Sequence, residues 1–192
     1  MGRRLARALA EHRQVAEAVA ALLPRVEEAA ALVAEALEGG RRLFACGNGG
    51  SAADAQHLAS ELTGRCEAER RGYPAVALTV DASALTAVAN DYGFEEVFAR
   101  QLEALARPGD VLVAISTSGR SANVVRALER AGELGLRRIA LLGRDGGPCA
   151  ALAEVPLVVG LARTPRIQEA HVLLLHLLCE ALEPEAGPCP RP

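Results

Sequence analysis

The stretch Cys46-Gly47-Asn48-Gly49-Gly50-Ser51, followed by His57 and Glu61, concentrates residue types that can do chemistry. Glycine and asparagine accept backbone angles that a Cβ resists, and they let a ligand approach the main chain. Ser51 is placed to cap a helix, whose free N–H groups then favour an anion. His57 and Glu61 fall at i and i+4, on one face of that helix, and can act as a pair. A second loop, Ser116-Thr117-Ser118-Gly119-Arg120-Ser121-Ala122-Asn123, sets four hydroxyls and a glycine ahead of a helical run. That exceeds what a helix cap uses and suits a phosphate monoester. Gln168 and His176 lie on the last helical segment, about 12 Å apart along its axis at 1.5 Å per residue. A metal shared by those two would sit midway, above Val172, or draw one ligand from a second subunit, a geometry that suggests an intersubunit site. His176 also stands among five leucines, as a buried, hydrogen-bonded histidine would. From pattern alone Asn90 and Asp91 read as a turn, Asp54 as a carboxylate favoured by the helix dipole, and His12 and His171 as structural.

These residues need a scaffold that brings distant loops to one place. Short apolar runs at Leu43–Cys46, Ala75–Thr79, Val111–Ile115, Ile139–Leu142 and Val155–Val159 predict buried strands. Helical periodicity separates most of them, near Ser51–Thr63, Ser83–Ala89, Phe94–Ala106 and Ser121–Leu134, and a last helix spans Pro165–Leu182. Alternating strands and helices predict a doubly wound α/β domain with a parallel sheet covered on both faces. Ligands of such sheets bind beyond the carboxyl ends of the strands, which places both loops at one pocket. Two amphipathic helices precede the first strand, Arg3–Leu23 and Pro24–Glu38, the second stopped by Gly39-Gly40. They can cover a sheet edge or pack against another subunit. The expected organisation is a single domain over 1–192: helices in 1–40, an α/β core over 41–184, and a frayed tail over 185–192.

Composition narrows the function. The chain has 192 residues, 51% of them hydrophobic, enough to bury a core without staples. A net charge of −3 and the absence of a basic block disfavour nucleic acid. The five cysteines (Cys46, Cys66, Cys149, Cys179, Cys189) form no C-x-x-C pair and are odd in number, as expected of reduced thiols in a cytosol. No secretory signal, myristoylation motif or membrane span is read. All 21 basic residues are arginine, which excludes Schiff-base lysines, lysine-bound pyridoxal phosphate and a Walker-A lysine. G-N-G-G-S also lacks the G-x-G-x-x-G spacing of a dinucleotide site.

Five strings, C-G-N-G-G-S (Cys46–Ser51), Q-H-x-x-x-E-L-T-G-R (Gln56–Arg65), A-N-D-Y-G-F (Ala89–Phe94), S-T-S-G-x-S-A-N (Ser116–Asn123) and R-I-Q-E-x-H (Arg166–His171), together resemble the sedoheptulose 7-phosphate isomerases, or phosphoheptose isomerases. These belong to the sugar isomerase (SIS) domain proteins, and the resemblance runs from about Cys46 to Glu180. It implies a five-stranded parallel sheet, a cytoplasmic homotetramer with sites between subunits, and one zinc per site. The helices in 1–40 would then serve oligomerisation. The zinc ligands would be His57, Glu61, Gln168 and His176. Ser116, Thr117, Ser118 and Ser121 would hold the phosphate. Asn48, Gly49, Gly50, Ser51, Asn90 and Asp91 would line the sugar site, with Glu61 and Gln168 also touching substrate. Glu61 and His176 would be the catalytic pair. Some members carry an acidic residue ahead of R-I-Q-E where this chain has Pro165, so no substrate contact is carried to that position. The implied reaction converts sedoheptulose 7-phosphate to D-glycero-D-manno-heptose 7-phosphate for heptose precursor biosynthesis. A rival from another class shares the fold: the DnaA initiator-associating proteins of replication initiation. They lack acidic and histidine residues at the positions of Glu61 and His176, and this chain has both.

Overall fold

Side chains along the strands point alternately to the two faces of the sheet, and this divides the core into two halves. In the computed structural model, which describes residues 2–183, β1 (Leu43–Gly47), β2 (Ala75–Ala77), β3 (Val111–Ser116), β4 (Arg137–Gly143) and β5 (Val155–Val159) form one sheet. The expected tail and Cys189 lie outside the described residues. All neighbouring strands are parallel, in the order β2-β1-β3-β4-β5. Leu43, Ala45, Val113, Ile115, Ile139 and Leu157 point to one face; Phe44, Cys46, Leu112, Ala114, Ala140 and Leu142 point to the other.

The first face is covered by α1 (Gly2–Ala20), α2 (Leu23–Glu38), α3 (Gly50–Thr63) and α8 (Thr164–Ala181). On the second lie α4 (Ala82–Tyr92), α5 (Ala99–Leu105), α6 (Ala122–Glu133) and α7 (Gly147–Leu152). In α6, Val124, Ala127, Leu128 and Ala131 are buried while Arg126, Glu129 and Glu133 stay outside, a stripe at helical spacing. Each large side chain fully removed from water contributes about 2 kcal/mol before the entropy of ordering is subtracted. No described helix is long and apolar enough to cross a membrane.

Four expectations change. The second strand ends at Ala77 rather than Thr79, because Asp81 accepts a hydrogen bond from Ala84 N at 2.9 Å and starts α4 early. The helix expected over Phe94–Ala106 is broken into a 3₁₀ turn, Phe94–Glu96, and α5, because Val97 and Phe98 both turn into the core. A short helix, α7, stands between β4 and β5, where no helix was expected. Ser51 does not cap α3: Gly49 is the N-cap residue at φ +58°, and Ser51 lies inside the first turn, 3% exposed.

His171 gives the fold an acid-sensitive point. It is fully buried between α8 and the sheet, and neither ring nitrogen meets a partner at hydrogen-bonding geometry. Burial pushes its pKa down to about 4, the Leu142 backbone being only a weak counterweight. Between pH 6.5 and 4 the unfolded chain therefore holds a proton that the folded chain does not, so stability falls as pH falls through that window. The expected loss is about 3 kcal/mol by pH 4. Urea unfolding across this range should show it, and His171→Leu should flatten that part of the curve; an unchanged slope in the variant would refute the assignment.

Candidate active site

The strand order reverses direction between β1 and β3, where Gly47 pairs with Ile115. The two loops singled out in the sequence leave the sheet side by side at this switch point, where doubly wound sheets bind ligands. They are tied by a reciprocal amide pair: Asn48 Nδ2 donates to Asn123 Oδ1 and Asn123 Nδ2 to Asn48 Oδ1, both at 2.8 Å.

In the hydroxyl loop, Ser116 Oγ accepts from Gly119 N at 3.1 Å and lies 3.2 Å from Ser121 Oγ. Ser118 Oγ accepts from Arg120 N at 3.2 Å. Ser121 stands at the N-cap of α6 yet makes no capping bond with its side chain. The hydroxyls are thus gathered by one another and by loop amides rather than used as a cap. Arg120 and Asp145 pair at 2.6 and 2.7 Å and bind this loop to the one before α7, and the guanidinium holds the Asp145 carboxyl well below the usual range.

The glycine loop leads into α3, which lies against α8. A Cβ on Gly50 would fall 2.1 Å from Gln168 Nε2, so only glycine lets that amide approach the loop. Two turns along both helices, the rings of His57 and His176 meet edge-on with centroids 4.9 Å apart. Gly50 faces Gln168 and His57 faces His176, so the two helices run in the same direction. His57 Nε2 lies 3.2 Å from Glu61 Oε1, with the two side chains 37% and 21% exposed. One chain therefore carries His57, Glu61, Gln168 and His176 along a single seam. His176 is half-buried at that seam rather than sealed among its leucines.

The donor types, two imidazoles, a carboxylate and an amide oxygen, suit zinc. The side chains are neighbours rather than a closed cage: among the described residues no three His, Cys, Asp or Glu groups converge on one point. Cys66 and Cys179 flank the Glu61 end, and burial pushes their thiols up to about 11 and about 12, so they stay protonated and inert as nucleophiles. The described cysteines Cys46, Cys66, Cys149 and Cys179 are all free.

Among the described residues no hydrogen bond brings Asn90 or Asp91 to the seam. They lie exposed in the last turn of α4, where Asn90 Nδ2 donates to Asp91 Oδ1 at 2.8 Å. Three features emerge only from the packing. Asp54 is buried, with Oδ2 unpartnered and its pKa raised by that burial. His12 Nδ1 meets Glu169 Oε2 at 2.6 Å, across 157 residues of sequence. Asp110, also buried, accepts from the amides of Arg42 and Arg107 and fastens the amino ends of β1 and β3. Spacing signals none of the three, although Asp54 and His57 do stand at i and i+3.

A parallel sheet with hydroxyl and glycine loops at its switch point is the arrangement of an SIS domain, and the SIS domain family model matches residues 9–143. The curated phosphoheptose isomerase of Geotalea daltonii is 57% identical over 173 residues, covering 90% of each chain. The solved phosphoheptose isomerase of Neisseria gonorrhoeae superposes with a TM-score of 0.89 at 49% identity, covering 94% of this chain and 97% of that one. That of Francisella tularensis gives 0.90 at 38% identity, over 93% and 96%. The chain belongs to the phosphoheptose isomerase family.

Proposed function

We propose that this chain isomerises sedoheptulose 7-phosphate to D-glycero-D-manno-heptose 7-phosphate, supplying heptose precursors. The observation that carries the reading is the α3–α8 seam, which sets a carboxylate and two imidazoles beside the switch-point loops. The hydroxyl loop would hold the phosphate, and that remote binding fixes the reacting carbons in place. Glu61 removes a proton from C1 of the ketose, and the electron pair forms the C1–C2 double bond of an enediolate. His176 carries the proton of the C1 hydroxyl to the oxygen on C2. Protonated Glu61 then returns its proton to C2, leaving the aldehyde at C1. Glu61 turns Oε1 to His57, so Oε2 is the oxygen assigned to proton transfer. His57, Glu61, Gln168 and His176 are the residues that would hold one zinc per site, and the ion when bound supplies Lewis-acid polarisation of the carbonyl.

A cytoplasmic homotetramer, assembled through the helices in 1–40, belongs to the same proposal. Leu5 and Leu9 on α1 are 65% and 62% exposed, apolar surface that a second copy would cover. Asn90 and Asp91, exposed on α4, are the residues expected to reach a neighbour's sugar site. Nothing specific favours the initiator-binding alternative, and the relatives named above are all phosphoheptose isomerases.

Proton NMR of purified protein with sedoheptulose 7-phosphate tests the reading. Aldose signals should appear, turnover should fall at least about 100-fold after chelation, and zinc should restore it. Metal analysis should give about one zinc per chain, and zinc should raise the melting temperature of the stripped protein. No aldose product from the zinc-loaded chain would sink the proposal.

A further inference from the structure

We propose that His12, oriented by Glu169, is a sugar-binding residue of this site: it would donate or accept a hydrogen bond through Nε2 to a hydroxyl of the open-chain sugar phosphate. The inference rests on the isomerase reading and adds a residue from α1 that no spacing in the sequence singles out.

Three observations carry it. A cavity of about 470 Å³ opens between α1 and α8, lined by His12, Pro165, Gln168, Glu169 and Val172. This volume falls within the range of small-molecule sites. The cavity lies over α8 from Pro165 to Val172 and shares Gln168 with the seam that holds the candidate catalytic groups. Within it, Glu169 Oε2 takes the Nδ1 side of the imidazole at 2.6 Å, which fixes the ring's orientation and leaves Nε2 for a ligand.

The support behind the pair is built rather than incidental. Glu169 is also bound by Arg166, whose guanidinium donates to the Ala8 carbonyl one turn before His12. Arg163 pairs with Glu11 beside it. Helix α1 is thereby held on α8 by several polar ties, although most of its surface is exposed. A bare packing contact would not need an imidazole at its cavity-lining position.

The experiment compares steady-state kinetics on sedoheptulose 7-phosphate for the wild-type chain and for His12→Ala, His12→Gln, His12→Asn, Glu169→Gln and Arg163→Ala, with inorganic phosphate as a competitive probe of the other end of the site. His12→Ala should raise KM about tenfold with kcat changed less than about threefold, and phosphate inhibition should be unaltered. His12→Gln, whose amide nitrogen can reach the place of Nε2, should recover most of the loss, and His12→Asn little of it. Glu169→Gln should show a smaller rise in KM. Arg163→Ala loosens the same helix without touching the cavity and should leave KM unchanged. A normal KM for His12→Ala, or an equal KM defect in Arg163→Ala, overturns the role of His12 while the isomerase reading stands. A zinc-loaded wild-type chain without turnover sinks that reading, and the role of His12 with it.

Discussion

Glu61→Gln should lower kcat about 1,000-fold while KM changes less than threefold, because the substitution removes the proton acceptor and leaves the phosphate loop intact. The fold should tolerate it. Glu61 is 21% exposed and its link to His57 is a single i, i+4 contact, so the neutral amide alters stability by well under about 1 kcal/mol. Binding and chemistry are thus separable: phosphate inhibition, and the melting temperature of the metal-free protein, should match the wild type while product formation nearly stops. His176→Gln should fall in the same class, since it leaves His57 and the loops in place. A Glu61→Gln enzyme that keeps more than a tenth of its turnover would require a different base and would break the mechanism at its first step.

Gly119→Ala should be the most damaging single-methyl change in the hydroxyl loop. Gly119 sits at φ +63°, and a Cβ there would lie 1.9 Å from the Gly146 carbonyl oxygen, a backbone atom that cannot rotate aside. The left-handed conformation alone costs about 1–2 kcal/mol for a residue with a Cβ, and the clash adds to it. A total near 4 kcal/mol corresponds to a fall of about 8–16 °C in melting temperature for a chain of this length. The same glycine donates its amide to Ser116 Oγ, so KM for the phosphorylated sugar should rise as the loop shifts. Gly40→Ala isolates the conformational part, because Gly40 has φ +72° with no atom near its missing Cβ. Equal melting temperatures for the two variants would mean that the loop yields and that its geometry is not fixed by this contact.

The strands were legible because β1 and β3 are buried on both faces and read as unbroken apolar runs. The glycine and hydroxyl loops were legible because each is a contiguous string whose residue types serve one purpose. The seam was not. His57 and His176 stand 4.9 Å apart only because α3 and α8 pack in the same direction, a relation that no local spacing encodes. From spacing alone, a shared metal leaves a second subunit open as the source of a ligand, whereas packing sets the four candidate ligands along one chain. His12 and Glu169 escaped for the same reason, being joined across the whole length of the domain. Ser51 fits a cap by residue type, whereas the turn requires the left-handed backbone that Gly49 supplies.

Helix α8 follows all five strands in the chain and brings Gln168 and His176 with it. During synthesis the sheet and both loops are made before α8 has left the ribosome, so the site and one face of the core stay incomplete until this helix emerges. Any cut that released this helix would remove half of the proposed acid–base pair and, with Ala170, Leu174, Leu175 and Leu178, part of the core under one face of the sheet.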